Sequence, residues 1–329
     1  MDKVGQLNDI DYQIKTVIKI HGDSVMNIII LKDKRIASSS CDNSIKIFNP
    51  NTFELEIDIK EHKDYVAYIY QLKNGRLISS SSDTTIKIFK LFKKDYTVEQ
   101  ILNGHIKPVK KTIELINEYL LSCSWDKSII IWEKNNENKY IVKKKLSEKR
   151  EIQSIFELND KEFISISAND NNNVDDRAIS FYKFENGTFN FIKIIENIKI
   201  SGFQSNTIKI NKNYILIGGN SIIYIIDIIT YSINNIYELD KGIWIQSLNL
   251  LSNGNLIAGG HFDLMIFKIN DNNLELVLDL KNILKDKEYS YRTVSTIIED
   301  SNKNIIVSSY DGKIRVFSKK SKNKYLLTN

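Results

Sequence analysis

Proline is nearly missing from this chain, with two residues in 329, and glycine is scarce at 13. A β-rich chain with so few turn formers needs a substitute, and asparagine, which tolerates the left-handed region, is expected at such positions. Cysteine is also rare. Cys41 and Cys123 are too few for a disulfide framework. The four histidines include no His-x-x-His pair, and no paired-cysteine spacing occurs, so no transition-metal motif is indicated. Charge of one sign is not in excess. Lys and Arg number 46 against 41 Asp and Glu, and the lysines are interleaved with acids, so no polyanion such as nucleic acid is expected as partner. No apolar run approaches a membrane span. The longest isoleucine-rich stretch, Ile222 to Ile229, is broken by Tyr224 and Asp227. The opening "MDKVGQLNDIDYQ" has no apolar signal core. These absences lead us to expect a soluble protein of a reducing, cytoplasmic setting. Gly218-Gly219 and Gly259-Gly260 do not match a phosphate-loop spacing, and no Gly-x-Ser-x-Gly is present.

What is present is a repeat. "SSSCDNSIKIF" ends at Phe48, "SSSSDTTIKIF" at Phe89, "SCSWDKSIIIW" at Trp132 and "VSSYDGKIRVF" at Phe317. His21, His62 and His105 lie 41 and 43 residues apart. Each is followed four residues later by valine (Val25, Val66, Val109), 21 later by an acid (Asp42, Asp83, Asp126) and 27 later by an aromatic (Phe48, Phe89, Trp132). Within each copy, three short β-rich runs and a fourth alternating run such as "ELEIDIK" have the period of strands. Four antiparallel strands in roughly 43 residues make a propeller blade. Weaker copies follow, and seven third strands can be counted, ending near Phe48, Phe89, Trp132, Tyr182, Ile226, Phe267 and Phe317. The fold expected is all-β: a seven-bladed propeller of four-stranded antiparallel blades. The seventh blade lacks an outer strand in sequence, and "QIKTVIKI" (13–20) alternates like one, so the N-terminal strand is expected to close the ring. The expected division is a short extension at 1–12, the propeller at 13–317 and a basic tail at 318–329.

These residues resemble the WD-repeat β-propeller family, over about residues 14–317. In that family a His before the first strand, a Ser or Thr in the second, an Asp in the next turn and a Trp in the third form a hydrogen-bonded structural set. Blade 3 matches best, with His105, Ser122 or Ser124, Asp126 and Trp132. Blades 1 and 2 carry His21, Asp42, His62 and Asp83, with Phe at the Trp position. Blades 4 to 7 place Glu148, Lys199, Asp240 and Ser290 where the His would be, and blade 6 has His261 at the turn-acid position. The literal Trp125-Asp126 is not the family's eponymous dipeptide, since Asp126 is the turn acid.

The resemblance implies a non-catalytic scaffold, without cofactor or metal, that docks other proteins or peptides on the face carrying the His and turn-acid loops. Tyr65, Lys107, Trp125, Arg150, Tyr289, Tyr291, Arg292 and Tyr310 are the partner-binding candidates, Tyr, Trp and Arg being enriched in hot spots. Two alternatives stand beside it: a substrate-receptor or assembly subunit of a larger complex, and a propeller hydrolase, which needs acids and histidines converging on the axis. Either a monomer or one subunit of a hetero-complex is expected. Lys143 to Lys145 are read as an edge-blocking lysine run on an outer strand. The Asn/Asp-rich stretch from Asn169 to Arg177 is read as a solvated loop, because Val174 and the missing glycine break a calcium-loop pattern.

Overall fold

A computed structural model describes residues 12–168, 177–200, 206–240, 242–261, 263–271, 273–280, 284 and 293–319. The other residues, among them Tyr289, Tyr291 and Arg292 and nearly all of the Asn169–Arg177 stretch, lie outside the described residues. Among the described residues, twenty-eight strands, β1 to β28 in chain order, form seven four-stranded sheets. Blade 1 is β2 (Val25–Ile30), β3 (Ile36–Ser40), β4 (Ile45–Phe48) and β5 (Leu55–Ile59), paired in that order. Blade 3 runs from β10 (Val109–Glu114) to β13 (Tyr140–Ser147), and blade 4 from β14 (Glu151–Asn159) to β17 (Thr188–Ile198). Blade 7 takes β26 (Val294–Glu299), β27 (Ile305–Ser309) and β28 (Lys313–Lys319) from the end of the chain and β1 (Tyr12–Lys19) from its beginning. β1 pairs antiparallel with β28, Ile14 opposite Phe317 and Lys19 opposite Lys313. The ring therefore closes as the alternation of residues 13–20 predicts.

The apolar residues fall into seven buried clusters, one at each seam between neighbouring blades. Leu31, Ile45 and Ile57 of blade 1 meet Val66, Leu77 and Phe89 of blade 2. Val25, Ile36 and Phe48 of blade 1 meet Ile306, Ile314 and Val316 of blade 7. A sheet covered on both faces has no polar alternation, which is why β3 and β4 are buried at every position. Outer strands such as β1 and β13 have one wet face and alternate. The paired glycines answer to this packing. A Cβ on Gly218 would lie 2.4 Å from Ile245 Cγ2, and one on Gly259 would lie 2.7 Å from Val294 Cγ1 of the next blade.

Turn chemistry departs from expectation. Asparagine takes the left-handed region at Asn43, Asn138, Asn186 and Asn197, but Lys34, Thr84, Glu118, Lys127 and Lys303 take it as well. The residue after the turn acid adopts it in all four clear copies: Asn43, Thr84, Lys127 and Gly312. The turn geometry recurs whatever residue fills it, because the acid imposes it. Asp42 Oδ1 accepts from Ser44 N at 3.0 Å, and Asp83 Oδ1 accepts from Thr85 N at 3.0 Å.

A second recurring contact joins the blades on the opposite face. A residue at or near the end of a blade's first strand caps a backbone N–H of the preceding blade. Gln71 accepts from Lys32 N at 2.7 Å, Glu114 from Lys73 N at 2.6 Å, Glu157 from Ile116 N at 2.6 Å and Glu299 from Ser252 N at 2.6 Å. The sequence carried the signal, since Gln71, Glu114 and Glu157 are each 43 residues apart.

Candidate functional site

The face bearing the His and turn-acid loops is built by three repeated polar sets. His21 Nδ1 donates to Asp42 Oδ2 at 2.9 Å, and Ser38 Oγ donates to His21 Nε2 at 2.7 Å. His62 bonds Asp83 at 2.8 Å and Ser79 at 2.7 Å, and His105 bonds Asp126 at 3.0 Å and Ser122 at 2.8 Å. Ser122, not Ser124, is thus the partner of His105; Ser124 Oγ donates to Lys107 O instead. Trp132 Nε1 donates to Ser122 Oγ at 2.9 Å, a bond that Phe48 and Phe89 cannot make. Burial alone would raise the three acids. The bonds from His, from Ser or Thr and from a backbone N–H outweigh it and hold Asp42, Asp83 and Asp126 well below the usual carboxylate range.

Blades 4 and 7 solve the same problem with other residues. Glu148 Oε1 accepts from Ser165 Oγ and, at 2.9 Å, from Tyr182 OH. His21–Ser38, His62–Ser79, His105–Ser122 and Glu148–Ser165 share one separation of 17 residues, so Glu148 stands in the histidine's place. Burial pushes its carboxyl up. In blade 7 the turn acid Asp311 is paired with Arg315, a residue 2% exposed that also donates to Ser309 Oγ at 2.7 Å. Burial opposes the ionised form of Asp311, but the Arg315 bond wins and lowers its carboxyl. His261, at the turn-acid position of blade 6, bonds Thr293 Oγ1 at 2.7 Å and packs near Trp244.

First strands carry a second device. Beyond the buried valine the register slips by one residue between Val25 and Asn27, Val66 and Tyr68, Val109 and Lys111, Ile152 and Ser154, and Val294 and Thr296. Each slip is a β-bulge, which re-aims a side chain. Met26, Ala67, Lys110, Gln153 and Ser295 are the extra residues. Lys110 Nζ sits 4.4 Å from the centre of the Trp125 ring, and Trp125 Nε1 donates to Gln153 Oε1 at 2.9 Å, so Trp125 bridges blades 3 and 4. Lys110 is only 7% exposed, and burial brings its ammonium down to about 8. Cys41 lies within electrostatic reach of Asp23, Lys110 and Asp64, and Tyr310 within reach of Cys41. Burial first, and then Asp23, raises the Cys41 thiol to about 11. Residues of blades 1, 2, 3 and 7 thus lie within electrostatic reach of one another on this face.

The other candidates are distributed as follows. Tyr65, Trp125 and Tyr310 are half-buried. Lys107 is exposed and pairs with Glu151 at 3.0 Å. Arg150 pairs at 2.8 Å with Glu196 of β17, which directs it towards the outer rim between blades 3 and 4. Lys144, from the lysine run, reaches across that same seam to Thr188 Oγ1 at 2.7 Å. Lys110 falls five residues after His105 and its place on this face is legible from that spacing; Gln153, its counterpart in blade 4, was absent from the candidates because a bulge is invisible to period-two reading. Their shared place after a valine or isoleucine at the head of the first strand was the available clue.

On the axis, a cavity of about 430 Å³ is lined by first strands of all seven blades and includes Lys111, Tyr68 and Asn27. Among the described residues, no group of three or more His, Cys, Asp or Glu side chains could hold a metal ion. These residues include no helix long and apolar enough to cross a membrane.

The profile of the WD domain, G-beta repeat, matches residues 97–133. That span holds His105, Ser122, Asp126 and Trp132, the full polar set. The chain has the fold of a WD40 propeller. Among solved structures it is similar to the WD40 β-propeller domain of Doa1, with a TM-score of 0.72 and 18% identity, over 94% of this chain and 98% of that one. No curated protein matches the sequence. The best-formed WD40 set is the one the profile finds; blades 1 and 2 have Phe in place of Trp, and blade 4 has Glu in place of His. WD40 propellers are typical protein-interaction scaffolds, generally without catalytic activity.

Proposed function

We propose that this propeller is a non-catalytic platform for protein partners, which it holds on the face of the His and turn-acid loops. One observation carries the reading: Trp125 stacks on Lys110, with Cys41 and Tyr310 of two other blades within electrostatic reach, on the face that bears the histidine sets. A large aromatic over a desolvated ammonium, set in a fixed frame, has the composition and preorganisation of a binding hot spot. Tyr65 and Lys107 extend the surface, and Tyr289, Tyr291 and Arg292 are assigned to it from the sequence alone. The ring of residues 13–317 then serves as the docking unit, with 1–12 and 318–329 as appendages. The setting is cytoplasmic, and the protein works as a monomer or within a hetero-complex. The experiment is a proximity-labelling or pull-down comparison of the wild type with Trp125→Ala/Tyr310→Ala. The double variant is expected to lose its main partner while keeping its melting temperature, truncation of a true hot spot costing about 2 kcal/mol or more of binding. Retention of that partner by the double variant places binding elsewhere.

A further inference from the structure

The seam between blades 3 and 4 differs from the seam before it. In blade 3 the Trp132 indole reaches under Gly104, where an added Cβ would lie 3.1 Å from the ring, and the His105 ring fills the space beside it. In blade 4 the corresponding residues are Tyr182 and Glu148, both smaller, and Ser147 replaces the glycine. The space that Trp and His fill in blade 3 is left open, and a cavity of about 530 Å³ lies between β13 and β17 with Tyr182, Glu148 and Ser147 in its wall. A volume of several hundred cubic ångströms suits a ligand-sized group.

Two features describe what fits it. The first is an apolar ledge. β17 has 11 residues against five to eight in the other outer strands, and Asn190 to Ile194 are exposed consecutively. Phe191 is 56% exposed and Ile194 36%, both in the cavity wall, and Ile192 continues the apolar surface beyond it at 37%. The ledge outruns the cavity, so a small molecule would leave it bare and an extended chain would cover it. The second is charge. Lys144, Lys149 and Arg150 lie in the wall against Glu196 and Glu148, whose carboxyl is held inside by Ser165 and Tyr182. The mouth is cationic and calls for a carboxylate.

We propose that this seam is a second docking site, on the outer rim, for an extended peptide segment that carries a large apolar side chain beside an acidic one. The apolar side chain enters the cavity against Tyr182 and Phe191, and the acid meets Lys149 at the mouth. The site is separate from the axial face and does not depend on it.

The test is selection of a random heptapeptide library on the full chain, followed by fluorescence anisotropy of the enriched peptides. Enriched sequences are expected to pair Phe, Leu or Ile with a neighbouring Asp or Glu. Their affinity should fall at least tenfold in Phe191→Asp and in Lys149→Glu, both changes at exposed positions, and in Tyr182→Trp, which restores the blade 3 filler. Trp125→Ala/Tyr310→Ala should bind them as the wild type does. Failure to enrich any sequence, enrichment of neutral or basic peptides, or undiminished binding by folded Phe191→Asp and Lys149→Glu overturns the proposal. Loss only in the Trp125/Tyr310 variant would assign such peptides to the axial face.

Discussion

Glu148 accepts hydrogen bonds from the second and third strands of blade 4 where blades 1 to 3 use a histidine, and its response to pH is opposite to that of the turn acids. Burial raises the Glu148 carboxyl above its ordinary 4.5. Below that pH the group is protonated in both the folded and unfolded chain. As pH rises, the unfolded chain ionises first, so the folded state loses stability until its own carboxyl titrates. Glu148→Gln removes this loss, so the melting temperature of the variant relative to wild type should climb between pH 4 and pH 8. Asp42, Asp83 and Asp126 have the opposite sign. Their lowered carboxyls supply stability above the ordinary aspartate range and lose it as pH falls. Asp126→Asn should therefore destabilise more at pH 7 than at pH 3. Thermal melts across pH check both; a flat Glu148→Gln difference would mean that the carboxyl is not desolvated.

Within the strand elements, large aromatics close the third strands. Phe48, Phe89, Trp132, Phe267 and Phe317 are buried, and in each of these blades the outer pairing slips by one residue at the aromatic or, in blade 7, opposite its neighbour. Trp132→Ala opens a cavity and removes the donor to Ser122, and should cost about 3–5 kcal/mol in denaturant unfolding. Much of this level was legible in the sequence. The His, Asp and aromatic positions are fixed by contacts that recur within a blade, so they recur in the letters. Gln153 was harder, because a bulge shifts which face a residue meets without changing its neighbours in sequence. The cavity between blades 3 and 4 was not legible at all, since it arises from two modest exchanges, Trp to Tyr and His to Glu, whose volumes add up only in space. For Tyr65 and Tyr310 the letters gave the loop but not the degree of burial.

For the whole molecule, closure is the decisive event. β1 gives blade 7 its outer strand, and Tyr12 enters the cluster shared with blade 6. Deleting residues 1–20 leaves β28 with an unpaired edge, a template for association. The truncated protein should melt well below full length and aggregate in size-exclusion chromatography. A stable, monomeric truncation would count against closure by β1.

The caps made by Gln71, Glu114, Glu157 and Glu299 give the ring a sense of rotation. Each reaches from its own blade back to the one before, so blades 2 and 3 carry a plug at one side and offer a socket at the other. A unit of that kind can be copied in tandem with its joints already made. The new blade plugs into its parent and receives the plug of the old neighbour, with no contact to be invented at either seam. Growth by duplication is thus built into the joint itself, and the number of blades is left to the curvature at which the last seam meets the first.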